Sequence, residues 1–195
     1  MSREKILSEV LRNQPERKEL PGDLNFKSPG REELTEKFIR MISLIGGNVI
    51  AVQNVQDINQ YVADHFKQTD RIITPISELA HYTYFTEDDD PHQFEDTELA
   101  ILKPHFAVAE NGSVWITEDQ MGHRVIPFIC QHLAMVVDVQ NILADMHEAY
   151  EVIQSQDYDF GTFIAGPSKT ADIEQSLVLG AHGARSMTIF LLQAI

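Results

Sequence analysis

The chain has 195 residues, 43% of them hydrophobic, and a formal net charge of −15 at pH 7. This length and composition are typical of one globular domain, and no apolar run approaches the roughly 18 residues of a membrane-spanning helix. Residues 1–71 carry equal numbers of basic and acidic side chains, so the excess negative charge lies in residues 72–195. Because a negatively charged body repels phosphate backbones and anionic lipids, neither nucleic acid nor a membrane surface is expected as a partner.

The single cysteine, Cys130, lies in an apolar stretch. One thiol forms no disulfide within the chain and does not supply the ligands of an iron–sulfur cluster or a structural zinc ion. The first residues are charged and helical in pattern, which is unlike a secretory signal. We therefore expect a cytoplasmic protein with no cluster of its own.

Amphipathic helices alternate with short apolar strands through the first part of the chain. Three prolines after the first helix predict an irregular connector, so residues 1–30 should form an N-terminal helix and an extended arm. Leu20, Leu24 and Phe26 either stay loosely packed or dock on the main body or a neighbour. The predicted elements are a helix over 3–12, a helix over 31–45, a strand over 48–52, a helix over 55–67, a strand at 72–73 and a helical turn over 76–79.

Seven acidic residues between positions 86 and 98 predict a solvated loop. A divalent-cation site is the alternative, although the stretch lacks the glycine of a calcium-binding loop. The alternation of helices and strands predicts a single α/β domain over residues 31–195 with a largely parallel sheet. The later predicted elements are a strand at 100–102, a hairpin of 106–109 with 114–116, strands over 125–128 and 133–137, a helix over 139–153, and strands over 160–164 and 187–192.

The stretch AGPSKTADIEQSLVLGAHGAR, residues 165–185, connects the last two predicted strands through two glycine turns and a short helix. Ser168 or Thr170 should cap that helix, whose first N–H groups then face the loop beside Lys169. A helix N-terminus with a neighbouring cation favours a phosphate or carboxylate. Plain helix capping, with Asp172 and Glu174 favourably placed on the helix dipole, explains the same residues.

The second turn, GAHGAR, contains an imidazole between two glycines and ends on an arginine. Glycines allow a ligand to approach the backbone closely, and an imidazole can donate or accept a proton near neutral pH. The alternative is that the glycines only form the bend and the polar side chains pair locally. The candidate ligand-binding residues are Ser168, Lys169, Thr170, Gly180, His182, Gly183 and Arg185, and the candidate acids and bases are Asp172, Glu174, His182 and Glu110.

Several common catalytic signatures are missing from the sequence. The histidine spacing matches no zinc-enzyme motif, so no metal site is expected. Neither a nucleophile elbow nor a glycine-rich nucleotide loop is present. The turn Glu110-Asn111-Gly112-Ser113 joins two apolar runs and is explained by hairpin formation alone.

The run GPSKTADIEQSLVLGAHGAR resembles the C-terminal signature of the LUD-domain family, typified by lactate-utilisation protein C. The similarity extends to the N-terminal helix and to the first α/β half. The family has a Thr-Gly-Thr-like turn after a mid-chain glutamate, where this chain has Glu110 followed by Asn111, Gly112 and Ser113. The asparagine departs from that pattern.

The resemblance implies a three-layer α/β/α fold with a mostly parallel sheet, like that of ribose-5-phosphate isomerase and the CoA transferases. It also implies a place beside iron–sulfur proteins that oxidise L-lactate to pyruvate, with the clusters in those partners. The first functional hypothesis is therefore an accessory subunit of L-lactate oxidation that binds a small anionic ligand; a lactate-responsive binding module is a weaker variant.

The second hypothesis is a stand-alone enzyme acting on a sugar-phosphate or acyl-CoA type substrate. Lys169 and Arg185 would hold the anion, and His182 would donate a proton. The base or nucleophile would be one of the carboxylates at positions 110, 172 and 174.

Overall fold

A computed structural model of the chain describes residues 2–16, 18, 30–79, 81–82, 90–170 and 178–193. The docking residues of the predicted arm, Leu20, Leu24 and Phe26, lie outside the described residues, as do the candidate acids Asp172 and Glu174. The proposals made for these five side chains therefore stay predictions.

Helices and strands alternate along the described chain as the sequence pattern predicts. The helices are α1 (Arg3–Arg12), α2 (Arg31–Leu44), α3 (Val55–His65), α4 (Glu118–Met121), α5 (Ile126–Ile129) and α6 (Met146–Gln154). The strands are β1 (Asn48–Val52), β2 (Arg71–Ile73), β3 (Thr97–Leu102), β4 (Phe106–Val108), β5 (Ser113–Thr117), β6 (His132–Asp138), β7 (Ile142–Leu143), β8 (Gly161–Ile164), β9 (Lys169–Thr170), β10 (Val178–Leu179) and β11 (Ser186–Leu192).

The centre of the fold is a parallel sheet of five described strands in the order β1-β11-β6-β3-β2. Parallel sheets require cover on both faces. One face packs with Ile58 and Val62 of α3, and the other packs with the buried side of α2 and with a second sheet. The predicted three-layer α/β/α fold with a mostly parallel sheet is confirmed.

The second sheet has the order β7-β4-β5-β8 and contains the predicted hairpin, in which Phe106 pairs with Trp115. Its pairings are antiparallel except between β4 and β7. Ala149 and Ile153 of α6 cover its outer face against Phe106, Val108 and Trp115. The sheet therefore lies between α6 and the main core.

Helix α2 is the main helix on the inner face of the parallel sheet. Leu34, Phe38 and Ile42 recur at helical spacing and are buried in the largest hydrophobic cluster. The helix ends at Leu44 with Ile45 as its C-cap, and Gly46 follows with φ of +86°. A glycine is required there because L side chains rarely adopt that conformation.

Two elements predicted from short apolar runs are wrong. Residues 125–128 were expected as a strand, but Ile126–Ile129 is a short helix with Pro127 in its first turn, where proline is well tolerated. The helix expected over 139–153 begins only at Met146, capped by Asp145, and Ile142–Leu143 forms a strand beside β4. Periodicity alone does not separate short buried strands from helices.

Helix α1 forms at the predicted position, and its N-cap Ser2 side chain accepts from the Lys5 amide. Its apolar side chains Ile6, Leu7, Val10 and Leu11 are between 45% and 69% exposed. None of the helices in the described parts of the chain is long and apolar enough to cross a membrane.

The buried thiol of Cys130 gives a first testable prediction. Desolvation raises its pKa to about 12, so the thiol stays protonated and unreactive in the folded protein, because the thiolate is the nucleophile. We expect native protein at pH 8 to react with a thiol-specific disulfide reagent only as fast as it unfolds. The same protein in guanidinium chloride should release one equivalent within minutes. Rapid reaction of the native state would contradict the burial of this residue.

Candidate functional site

The two turns of the 165–185 stretch are joined by backbone hydrogen bonds. The Ser168 N–H donates to the Ala184 carbonyl at 2.9 Å, and the Gly180 N–H donates to the Ser168 carbonyl at 3.0 Å. Next to these bonds, β9 pairs antiparallel with β10. The sequence prediction that both turns contribute to one site is consistent with this geometry.

No helix begins at Ser168. Lys169 and Thr170 form β9, which is paired with Leu179 and Val178, and residues 171–177 lie outside the described residues. The predicted cap at Ser168 is therefore wrong, because the two residues after it pair with β10 instead of starting a helix. The alternative cap, Thr170, stays a prediction. An anion site built on a helix N-terminus at Ser168 has no structural basis.

Lys169 contacts the C-terminus of α2. Its Nζ donates to the Ile45 carbonyl oxygen, which follows the last helical turn. The final carbonyls of a helix lack intrahelical donors and carry the negative end of the dipole, so a lysine is stabilising there. The sequence placed this cation beside a helix start, and the structure places it at a helix end.

Glu110 is also used at a helix end. Its carboxylate accepts the Met146 N–H at 3.0 Å, in the first turn of α6. In the turn over residues 110–113, the Asn111 side-chain oxygen accepts from both the backbone N–H and the hydroxyl of Ser113. Gly112, with φ of +70°, packs against α2. Hairpin formation accounts for the Asn111–Ser113 hydrogen bonds, whereas Glu110 and Gly112 also contact α6 and α2.

The described parts of the two turns enclose a cleft of about 300 Å³, here called the signature cleft. Its polar groups come from the turns, with Ser168 half-buried and His182 exposed. Gly183 approaches Ser168 closely, since a Cβ placed on it would lie 3.1 Å from the Ser168 Cβ. The lining residues described are Pro127, Phe128, Leu133, Phe163, Ile164, Ala165, Gly166, Pro167, Ser168, His182, Gly183 and Ala184.

Arg185 lies beside the signature cleft and is exposed. Its backbone N–H donates to the Gln131 carbonyl at 2.8 Å, which aligns the chain for entry into β11. Its side chain crosses Gly180, where a Cβ would lie 2.4 Å from the Arg185 Cγ. Gly180 is thus needed for packing, in addition to its positive φ of 75°.

The aromatic walls of the cleft were missed by sequence reasoning. Phe128 is 46% exposed, and Phe163 packs with its ring 4.7 Å from that of Trp115. Both residues sit in ordinary apolar runs, so no local motif distinguishes them from core residues.

Among the residues that the structure describes, no group of three or more His, Cys, Asp or Glu side chains could hold a metal ion.

The family model described as LUD domain matches residues 79–192, more than half of the chain. This chain belongs to the LUD domain family. The resemblance inferred from the 165–185 stretch is confirmed, and that stretch lies entirely within the matched region of the LUD domain.

Curated relatives of this LUD domain protein include lactate utilization protein C from several bacteria. The protein from Anoxybacillus flavithermus is 24% identical over 168 residues, which cover 86% of this chain and 73% of that protein. That from Geobacillus kaustophilus is 32% identical over 46% of this chain, and that from Oceanobacillus iheyensis 25% identical over 50%. These two alignments span 40% and 45% of the relatives' own lengths.

A solved structure of a DUF162 family protein from Deinococcus radiodurans has the same fold. It superposes with a TM-score of 0.62 at 16% identity, covering 84% of this chain and 99% of that one. This likeness establishes the architecture of the LUD domain. The further likeness to ribose-5-phosphate isomerase and the CoA transferases stays a prediction.

Gly166 gives a prediction about how the first turn is built. It has φ of +73°, and a Cβ on it would lie 2.7 Å from the Ile45 carbonyl oxygen. We expect Gly166→Ala to lower the free energy of unfolding by about 1–3 kcal/mol, because it combines backbone strain with a backbone clash. Chemical denaturation measures the change.

Gly30→Ala is the matched control, since Gly30 has φ of −66° and nothing lies within 4 Å of its Cβ position. The control should change stability by less than about 0.5 kcal/mol, as the weaker N-cap offsets the reduced entropy of the unfolded chain. Equal effects of both substitutions would contradict the close approach at Gly166.

Lys169 gives a second prediction here. Lys169→Ala should lower stability by about 0.3–1 kcal/mol, because the α2 carbonyl loses its charged donor. The loss should shrink in high salt, which screens the charge–dipole interaction. Lys103→Ala, at another exposed lysine, serves as the control. A stability unchanged by Lys169→Ala at low salt would contradict the helix-end role.

Proposed function

We propose that this LUD domain protein is an accessory component of a lactate-utilisation system and binds a small carboxylate in the signature cleft. The observation that supports this proposal most directly is that the chain belongs to the LUD domain family and has curated relatives named lactate utilization protein C. The cleft supports the ligand part of the proposal, because both turns of the family-like stretch contribute to it.

The size of the cleft favours a small ligand. Its volume of about 300 Å³ is at the lower limit of ordinary ligand sites, which run from about 300 to 1,000 Å³. A two- or three-carbon hydroxy or keto acid fits this space better than a nucleotide does. The proposed ligands are therefore L-lactate and pyruvate.

The chemistry of the lining suits a carboxylate with a short apolar end. The Ser168 hydroxyl and the His182 imidazole can each donate a hydrogen bond to a carboxylate oxygen. Phe128, Leu133 and Ile164 supply apolar walls for a methyl group. Binding energy would thus come from two polar donors and partial burial of the methyl end.

The alternative of a stand-alone enzyme receives less support. It required Lys169 to hold the anion and Glu110 as one candidate base, and both side chains bind helix ends instead. Its remaining candidate carboxylates, Asp172 and Glu174, lie outside the described residues. The accessory role is preferred because it needs no complete catalytic set in this cleft.

In the accessory role, the oxidation of L-lactate to pyruvate belongs to partner proteins. A chain with one cysteine cannot supply the thiolate set that an iron–sulfur cluster uses. The proposed partners are therefore iron–sulfur proteins that carry the electrons.

Ligand binding is tested by calorimetry with L-lactate and pyruvate. We expect His182→Ala to weaken binding about tenfold, because one hydrogen bond to a charged group is lost. His92→Ala removes an imidazole that is 92% exposed and lies outside the cleft, so it should bind as the native protein does. No binding at millimolar ligand, or equal binding by the His182 variant, would contradict a carboxylate site here.

The accessory role is tested in the host cell. Deletion of the gene should abolish growth on L-lactate, and a tagged chain should co-purify with iron–sulfur proteins. Unchanged growth without co-purifying partners would contradict this role and leave the calorimetric result to stand alone.

A further inference from the structure

Three polar side chains meet at the amino ends of three neighbouring parallel strands. His132 begins β6, Ser186 begins β11, and Glu98 is the second residue of β3. The Ser186 Oγ lies 2.7 Å from the His132 Nδ1. The His132 Nε2 lies 3.6 Å from the Glu98 Oε1. The order is therefore hydroxyl, imidazole, carboxylate.

The two partners of the imidazole are compatible with a single tautomer. When Nδ1 accepts the Ser186 hydroxyl proton, Nε2 carries the ring hydrogen and directs it toward the Glu98 carboxylate. The Phe66 ring stands edge-on to the imidazole, with centroids 5.7 Å apart, and restricts its rotation. A nucleophile next to a base that a third group orients is the arrangement that activates serine.

These side chains face a groove large enough for a substrate. The groove has a volume of about 510 Å³, and His132, with 32% of its side chain exposed, is accessible from it. Lys67 lines the wall and contributes a positive charge. A second cavity of about 580 Å³ shares Phe66, Lys67 and Asp70 with the groove, so the two lie side by side along the end of α3.

The second cavity favours an aromatic or extended group. The rings of His81 and Tyr82 lie there with centroids 4.0 Å apart and an angle of 42° between their planes, so two aromatic side chains line this cavity.

We propose that the groove is an acyl-transfer site in which Ser186 attacks a carboxylic ester or thioester. The Ser186 Oγ forms a bond to the carbonyl carbon while its proton passes to the His132 Nδ1. The bond to the leaving oxygen or sulfur then breaks, and that atom takes the proton from His132. Water, deprotonated by the same imidazole, releases the acid and restores the serine.

Glu98 acts as a positioning residue through His132. Its carboxylate, 40% exposed, stabilises the charged imidazole that forms in both steps. This activity uses none of the signature-cleft polar groups, so its failure and the failure of carboxylate binding are separate results. Ser186 and His132 are paired in register across the two strands. If their hydrogen bond were only structural, Ser186 would not react with an ester or thioester.

The test is covalent labelling with a fluorophosphonate, located by peptide mass spectrometry, together with hydrolysis of p-nitrophenyl acetate. Native protein should be labelled at Ser186. Ser186→Ala should remove the label and lower kcat/KM by about 10²-fold or more, as should His132→Gln. Glu98→Gln should lower kcat about tenfold with KM unchanged. Ser155→Ala, at an exposed serine that caps the end of α6, should behave as the native protein.

Thermal melting of each variant shows whether the fold is retained, and Glu98→Gln changes only an exposed side chain. Absence of label at Ser186 in the native protein would overturn the proposal. Native rates of hydrolysis in folded Ser186→Ala would overturn it equally.

Discussion

The pairing of β11 between β1 and β6 is the interaction on which the rest of the structure depends. Seven residues of this strand align with β6 and five with β1, so the strand completes a sheet whose other members come from earlier in the chain. Its side chains alternate between the two cores, with Ile189 buried in one and Phe190 in the other. Without this strand, β1 loses its described neighbour and both cores lose their central residues.

Strand β11 begins where the amino ends of the parallel strands lie, so the turns that lead into it lie at that edge of the sheet. The turns of the signature cleft lie beside α5 and β8. The groove that contains Ser186 and His132 lies beside the end of α3. Leu133 lines both cavities. The two cavities therefore adjoin at β6, and the pairing of β6 with β11 holds both in position.

Two charged side chains of this acidic chain complete helix ends. Lys169 binds the carbonyl of Ile45, and Glu110 binds the amide of Met146. Each contact joins segments far apart in sequence, with α2 held to the first turn and α6 to the hairpin. Neither partner was predicted from the sequence, because the partner of each side chain depends on which helix end comes near it in the fold.

The sequence alone determined the elements whose periodicity is long and regular, such as α2 with Phe38 and Ile42, and it identified the family from an ordered stretch of polar and glycine residues. Local propensity was insufficient at Ile142–Leu143, which pairs with the distant strand β4, and at Lys169–Thr170, which pairs with β10. The meeting of Ser186 with His132 depends on strand order in the parallel sheet. Only the tertiary structure decides such contacts, because strand register and helix ends are set by segments remote in sequence.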